Sequence, residues 1–163
     1  MQPFSVLIIC HANTSRSVMA QALLERLLHE RGREDHVRVA SGGIAAYARD
    51  GALASFDARL VLRDEGIHLD PETASTDLKR NREIVAAADL ILAMTDEQLE
   101  MLARDFPESH GKAAYTLQGF AGAAVDIDDP ARRDEEFFAA CLAEIKGALE
   151  AGFPRLVALV DAR

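Results

Sequence analysis

The chain has 163 residues, 49% of them apolar and 28% charged, with a net charge of -9 and two cysteines. That length and balance suit one globular domain with a packed core, and the negative charge argues against nucleic acid or an anionic membrane surface as partner. No apolar run approaches the roughly 20 residues of a membrane span and no basic-then-apolar leader opens the chain, so a cytoplasmic protein without a disulfide framework is expected.

Phe4 to Ile9 is short, apolar and β-branched, and reads as a strand. After a polar loop, Ser17 to Arg31 reads as a helix with Met19, Leu23, Leu24, Leu27 and Leu28 on its buried stripe and Gly32 as its stop. His36 to Ala40 is a second strand. Gly51 to Glu65 is a helix that places Leu53, Phe56, Leu60, Val61 and Leu62 on one face and ends at Gly66. Asp89 to Ala93 is the third strand, and Thr95 caps the following helix, with Gln98 at the capping-box position. Ala113 to Leu117 is the fourth strand, Gly119 to Pro130 a loop, and Asp134 to Glu150 an amphipathic helix carrying Phe137, Phe138, Leu142, Ile145 and Leu149. Residues 152–163 form a C-terminal extension without an assigned role. Strands alternating with helices predict a single α/β domain of three layers, with a four-stranded parallel sheet covered by helices on both faces. Such sheets bind ligands at the carboxyl ends of their strands.

The loop Cys10-His11-Ala12-Asn13-Thr14-Ser15-Arg16-Ser17 lies at that edge and places five residues between a cysteine and an arginine. This spacing lets the chain curl into a cup of inward N–H groups at a helix N-terminus, a receptor for phosphate. Cysteines beside cations and helix N-termini are the reactive ones, so Cys10 is the expected nucleophile. Arg16 presents a planar fork that can bond two phosphoryl oxygens together. Ser17 is placed to donate to the Cys10 sulfur, and Asn13 tolerates a left-handed conformation that helps the loop curl. The plainer reading makes Cys10 a strand-end core residue, residues 13–15 a turn and Arg16 a solvated charge; the strand before, the helix after and Ser17 in place weigh against it. His11 beside Cys10 raises the thought of a metal pair, but no second ligand cluster accompanies it, so neither metal nor cofactor is expected.

Expelling a leaving group from phosphorus needs a proton donor, and Asp129, followed by Pro130 in a loop with Asp126 and Asp128, is the candidate. The same carboxyl would then act as base toward the water that hydrolyses a cysteinyl-phosphate.

The loop from Cys10 to Ser17, a Ser41-Gly42-Gly43 turn, the Asp89 to Met94 strand and Asp129-Pro130 follow one another as in the low-molecular-weight protein tyrosine phosphatases, which the chain resembles over most of its length. The resemblance implies a phosphorylated protein or peptide as substrate and a monomer. It gives Cys10, Arg16 and Asp129 the catalytic roles, makes the loop residues His11, Ala12, Asn13, Thr14, Ser15 and Ser17 the phosphate-binding lining, and matches Tyr47 to an aromatic wall of the substrate pocket. The chain departs from the family pattern at Ala12 (usually glycine), Ser15 (often a second cysteine), Val18 (usually proline) and Ala131-Arg132 (often a tyrosine pair). Thr14 is similar to family members that act on phosphoarginine, where phosphotyrosine enzymes carry a larger aliphatic residue. Two rivals stand beside this reading. An arsenate reductase of the same fold would need Cys141 as a redox partner, and a binding module would hold phosphate without turnover.

Overall fold

The computed structural model describes residues 2–130 and 135–163. Asp134, where the last helix is expected to begin, and Ala131-Arg132 lie outside them. The four strands are β1 (Phe4–Cys10), β2 (Val37–Gly43), β3 (Leu90–Ala93) and β4 (Ala113–Thr116), all parallel in the order β2-β1-β3-β4. A parallel sheet is buried on both faces, which is why β1 reads as a continuous apolar run rather than an alternation. Its side chains divide between two cores. Val6, Ile8 and Cys10 join Leu90 and Leu92 against α1 (Arg16–Glu30) and α6 (Glu135–Asp161), with α2 (Phe56–Asp64) and α5 (Leu117–Phe120) in the same layer. Leu7 and Ile9 join Ile91 and Ala93 on the other face, against Val85 of α3 (Arg82–Ala87), Leu102 of α4 (Asp96–Asp105) and Phe106. Each buried aliphatic of this size contributes about 1.5–3 kcal/mol, so the central strand is the most firmly held element. This is the three-layer α/β domain that the sequence predicts.

Three local expectations change. The second helix begins at Phe56 behind Ser55, whose hydroxyl accepts from the Ala58 N–H at 3.4 Å. Leu53 and Phe56 are exposed, because the Leu53–Ala74 bridge and the bond from Ser55 N–H to the Thr14 carbonyl hold this stretch along the surface before the helix turns inward. Ser41-Gly42-Gly43 is the end of β2 rather than a turn. A side chain on Gly42 would collide with Leu78, and a Cβ on Gly43 would sit 2.8 Å from the His11 carbonyl oxygen. Finally, α6 runs past Glu150 to Asp161. Gly152 faces the Phe120 ring, where a Cβ would approach to 3.0 Å, and Phe153 and Leu156 are buried, so the extension completes the apolar layer. Among the described residues no helix is long and apolar enough to cross a membrane.

Candidate active site

β1 and β3 are neighbours whose following helices, α1 and α4, pack on opposite faces of the sheet, so the chain diverges at the carboxyl edge beside Cys10. Cys10 ends β1 opposite Gly43, and the chain then turns through residues 11–15 into α1. The turn rests on Asn13, whose φ of 62° is the only positive value among the described non-glycine residues. Ala12 therefore occupies an ordinary conformation, and replacing a glycine there removes no freedom that the loop uses.

Asn13 is almost wholly buried and bonded in three directions. Its Oδ1 accepts from the Thr76 N–H at 2.9 Å, while its Nδ2 donates to Ser17 Oγ at 2.7 Å and to Ser41 Oγ at 3.0 Å. Ser41 in turn donates to Gln21 Oε1 at 2.5 Å. The Ser17 hydroxyl, which accepts from the Asn13 amide, lies 2.9 Å from the Cys10 sulfur and can donate to it when the sulfur is ionised, and the Asn13 N–H reaches the same sulfur at 3.2 Å. Two donors thus converge on Sγ, the arrangement that suits a thiolate.

The helix entry is built for an anion. Ser15 stands at the N-cap of α1 without a side-chain cap bond, and the first turn holds no acidic residue. Uncapped N–H groups and the helix dipole therefore face the crevice. Arg16, 3% exposed, donates through Nη1 to the Ile127 carbonyl at 2.7 Å, which accounts for its burial despite its charge.

Asp129 reaches the site from the loop after α5. Its carboxylate lies 3.7 Å from Arg16 Nη2 and remains half-exposed. The loop before it is pinned rather than free: Ile127 is fully buried, its N–H donates to the Met94 carbonyl at 3.0 Å, and Asp126 Oδ1 accepts from the Asp96 N–H at the start of α4. Tyr47 comes from the segment after β2 and stands 68% exposed at the rim. Lys79 steadies that segment, donating to the Ala45 carbonyl at 2.5 Å while paired at 2.8 Å with the buried Asp77 carboxylate. Partial burial, reinforced by the Asp129 charge, pushes the Tyr47 hydroxyl above the ordinary tyrosine range, so the ring stays neutral. Cys10, His11, Ala12, Thr14, Ser15, Arg16, Tyr47 and Asp129 line one open cleft of about 490 Å³.

Every predicted site residue is accounted for: these eight surround the cleft, while Asn13 and Ser17 lie beneath it and order the sulfur. Sequence reasoning missed Lys79, Ser41 and Gln21 as supports. It had singled out Gln98 only as a capping residue. Its backbone N–H does donate to Thr95 Oγ1 at 3.2 Å, but its side chain turns to the Met94 N–H and to His11.

The family model described as low molecular weight phosphotyrosine protein phosphatase matches residues 5–160. The chain belongs to this family. A protein-arginine-phosphatase of Geobacillus stearothermophilus is 32% identical over 148 residues, covering 91% of this chain and 93% of the relative. A low molecular weight protein-tyrosine-phosphatase of Acinetobacter johnsonii is 31% identical over 138 residues, covering 85% and 87%. The solved structure of the YwlE arginine phosphatase from Geobacillus stearothermophilus superposes with a TM-score of 0.81 at 33% identity, over 96% of this chain and 94% of that one. Membership makes this chain a protein phosphatase of the low molecular weight class. Cys141, the second thiol that a reductase would need, is pushed up to about 12 by burial in α6, and its thiol faces the Asp128 carbonyl at 3.8 Å. It is a protonated core thiol at neutral pH, poorly suited to carrying electrons to Cys10.

Proposed function

We propose that the chain hydrolyses phosphorylated protein side chains through a cysteinyl-phosphate intermediate. One observation carries this: the sulfur that accepts from Ser17 and the Asn13 N–H shares its cleft with the buried Arg16 guanidinium and the Asp129 carboxyl. Cys10 Sγ attacks phosphorus in line while the bond to the leaving nitrogen or oxygen breaks. Asp129 gives the leaving atom its proton. The three phosphoryl oxygens, carrying most of the charge, face the loop N–H groups and Arg16, which stabilise the crowded transition state more than the ground state. Asp129, now ionised, takes a proton from the attacking water, the S–P bond breaks, and phosphate and the thiolate are released.

Phosphoarginine is the substrate we favour. Thr14 lines the cleft, where its hydroxyl can accept from a guanidine N–H, and a small polar side chain leaves room for that planar group against the Tyr47 ring. The first relative described above, itself an arginine phosphatase by name, supports the same choice.

The test has two parts. Hydrolysis of p-nitrophenyl phosphate, inhibited by vanadate, should disappear in Cys10→Ser; activity that survives this change overturns the mechanism. Turnover of phosphoarginine and phosphotyrosine peptides by the wild type and Thr14→Ile then reads the substrate. Thr14→Ile should shift the ratio toward phosphotyrosine by about tenfold, the worth of one well-placed hydrogen bond. An unchanged ratio would remove Thr14 from the argument.

A further inference from the structure

The second residue of the loop holds a contact that the phosphatase mechanism leaves unused. His11 Nδ1 lies 3.1 Å from Gln98 Nε2 and 3.2 Å from Arg16 Nη2. The Gln98 amide is 0% exposed, and its orientation is decided by its other end: Oε1 stands 2.9 Å from the Met94 N–H, which can only donate, so the atom facing it must be the oxygen. Nε2 is then the donor toward His11. Arginine has no acceptor, so the second neighbour of Nδ1 is also a donor. A ring nitrogen approached by two donors must offer its lone pair. That excludes the imidazolium and the Nδ1–H tautomer together, leaving a neutral ring with its proton on Nε2.

We propose that Gln98 and His11 are positioning residues for Arg16: Gln98 selects the tautomer of His11, and His11 Nδ1 holds one arm of the guanidinium. The other arm is held by the Ile127 carbonyl, and the Ile127 N–H returns to the Met94 carbonyl. Met94, Gln98, His11, Arg16 and Ile127 therefore close a ring of hydrogen bonds around the end of β3. Two points of attachment fix the plane of the fork before phosphate arrives, and leave the N–H groups of Arg16 that they do not use for the anion. Preorganised donors of this kind need no rearrangement at the moment of reaction.

The pair rests on the phosphatase reading for its purpose but not for its geometry, so the two can fail separately. In the free wild-type protein, two-bond ¹H–¹⁵N correlation spectra of His11 should show Nδ1 unprotonated and the proton on Nε2; a proton on Nδ1 overturns the proposal without any variant. Gln98→Glu keeps the acceptor for Met94 but replaces the donor facing His11 by a second acceptor, which draws a proton onto Nδ1 and opposes Arg16. Its Kd for inorganic phosphate should rise about tenfold or more, the loss of one charge-assisted bond, and by more than in Gln98→Leu. His11→Leu should weaken phosphate binding by a similar factor, and His11→Asn, whose Oδ1 can stand where Nδ1 stood, should recover most of the loss. Equal phosphate affinity in the wild type and His11→Leu, or no recovery in His11→Asn, overturns the pair. A wild type that shows the expected tautomer and binds phosphate, yet leaves p-nitrophenyl phosphate intact, sinks the phosphatase reading and leaves the pair standing.

Discussion

Asn13 offers the sharpest stability test, because its side chain and its backbone contribute separately. Asn13→Ala removes the acceptor for the Thr76 N–H and the donor to Ser17 and Ser41, while those two hydroxyls keep Cys10 and Gln21 as partners. An orphaned donor is worth about 1–3 kcal/mol, and each of the two other bonds about 0.5–1.5 kcal/mol. Alanine also tolerates the 62° φ less well than asparagine, a penalty of about 1 kcal/mol. The total is about 3–7 kcal/mol, which for a domain of this size lowers Tm by roughly 10–20 °C. Asn13→Gly relieves the backbone part alone and should stand about 1 kcal/mol above Asn13→Ala. Urea unfolding of the three proteins measures both steps, and p-nitrophenyl phosphate turnover should fall by roughly a hundredfold in both variants as the Ser17 hydroxyl loses its orientation. If Asn13→Gly is no more stable than Asn13→Ala, the left-handed residue is not the hinge of the loop.

Asp129→Asn should slow hydrolysis of substrates with poor leaving groups far more than of p-nitrophenyl phosphate, since a good leaving group needs no proton; equal losses across a leaving-group series would move the acid elsewhere. Lys79→Met leaves the buried Asp77 carboxylate with the Lys79 backbone N–H and the Ala45 carbonyl with the Ala48 N–H, so stability should drop by only about 1–2 kcal/mol in urea titration, with KM for peptides rising as Tyr47 loses its support. Glu65 is held below the ordinary glutamate range by hydrogen bonds from Arg26 and Lys146. Its contribution is therefore present above the unfolded pKa of about 4.3 and lost as pH falls through the lower folded value. Glu65→Gln should destabilise at neutral pH and approach the wild type in acid, as thermal melts across pH would show. Iodoacetamide at neutral pH should label Cys10 and spare Cys141, read by peptide mass spectrometry.

The loop from Cys10 to Ser17 was legible as a strand-to-helix turn because its parts are contiguous: strand end, eight residues and helix start all lie within Phe4 to Glu30, and local spacing carries the geometry. Asp129 was legible through chemistry, as a carboxyl beside a proline in an acidic loop. What spacing could not supply came from tertiary contacts. Leu53 and Phe56 fit a helical face on paper, yet Thr14 and Ala74 hold their stretch at the surface. Residues 152–163 carried no assigned role in the sequence, but Gly152 is needed where α6 meets the Phe120 ring. Gln98 and Lys79 act on the site from 87 residues beyond His11 and 34 beyond Ala45, distances over which a sequence pattern carries no geometry.

The lone pair shared between Arg16 and Gln98 also makes a statement about descent. Two positions that lean on a single nitrogen cannot drift independently: a lineage that trades His11 for an aliphatic residue still needs an acceptor for the Met94 N–H at position 98 but no longer a donor, and one that keeps the imidazole must keep both. Homologues should therefore show covariation between these two columns, even as the rest of α4 diverges.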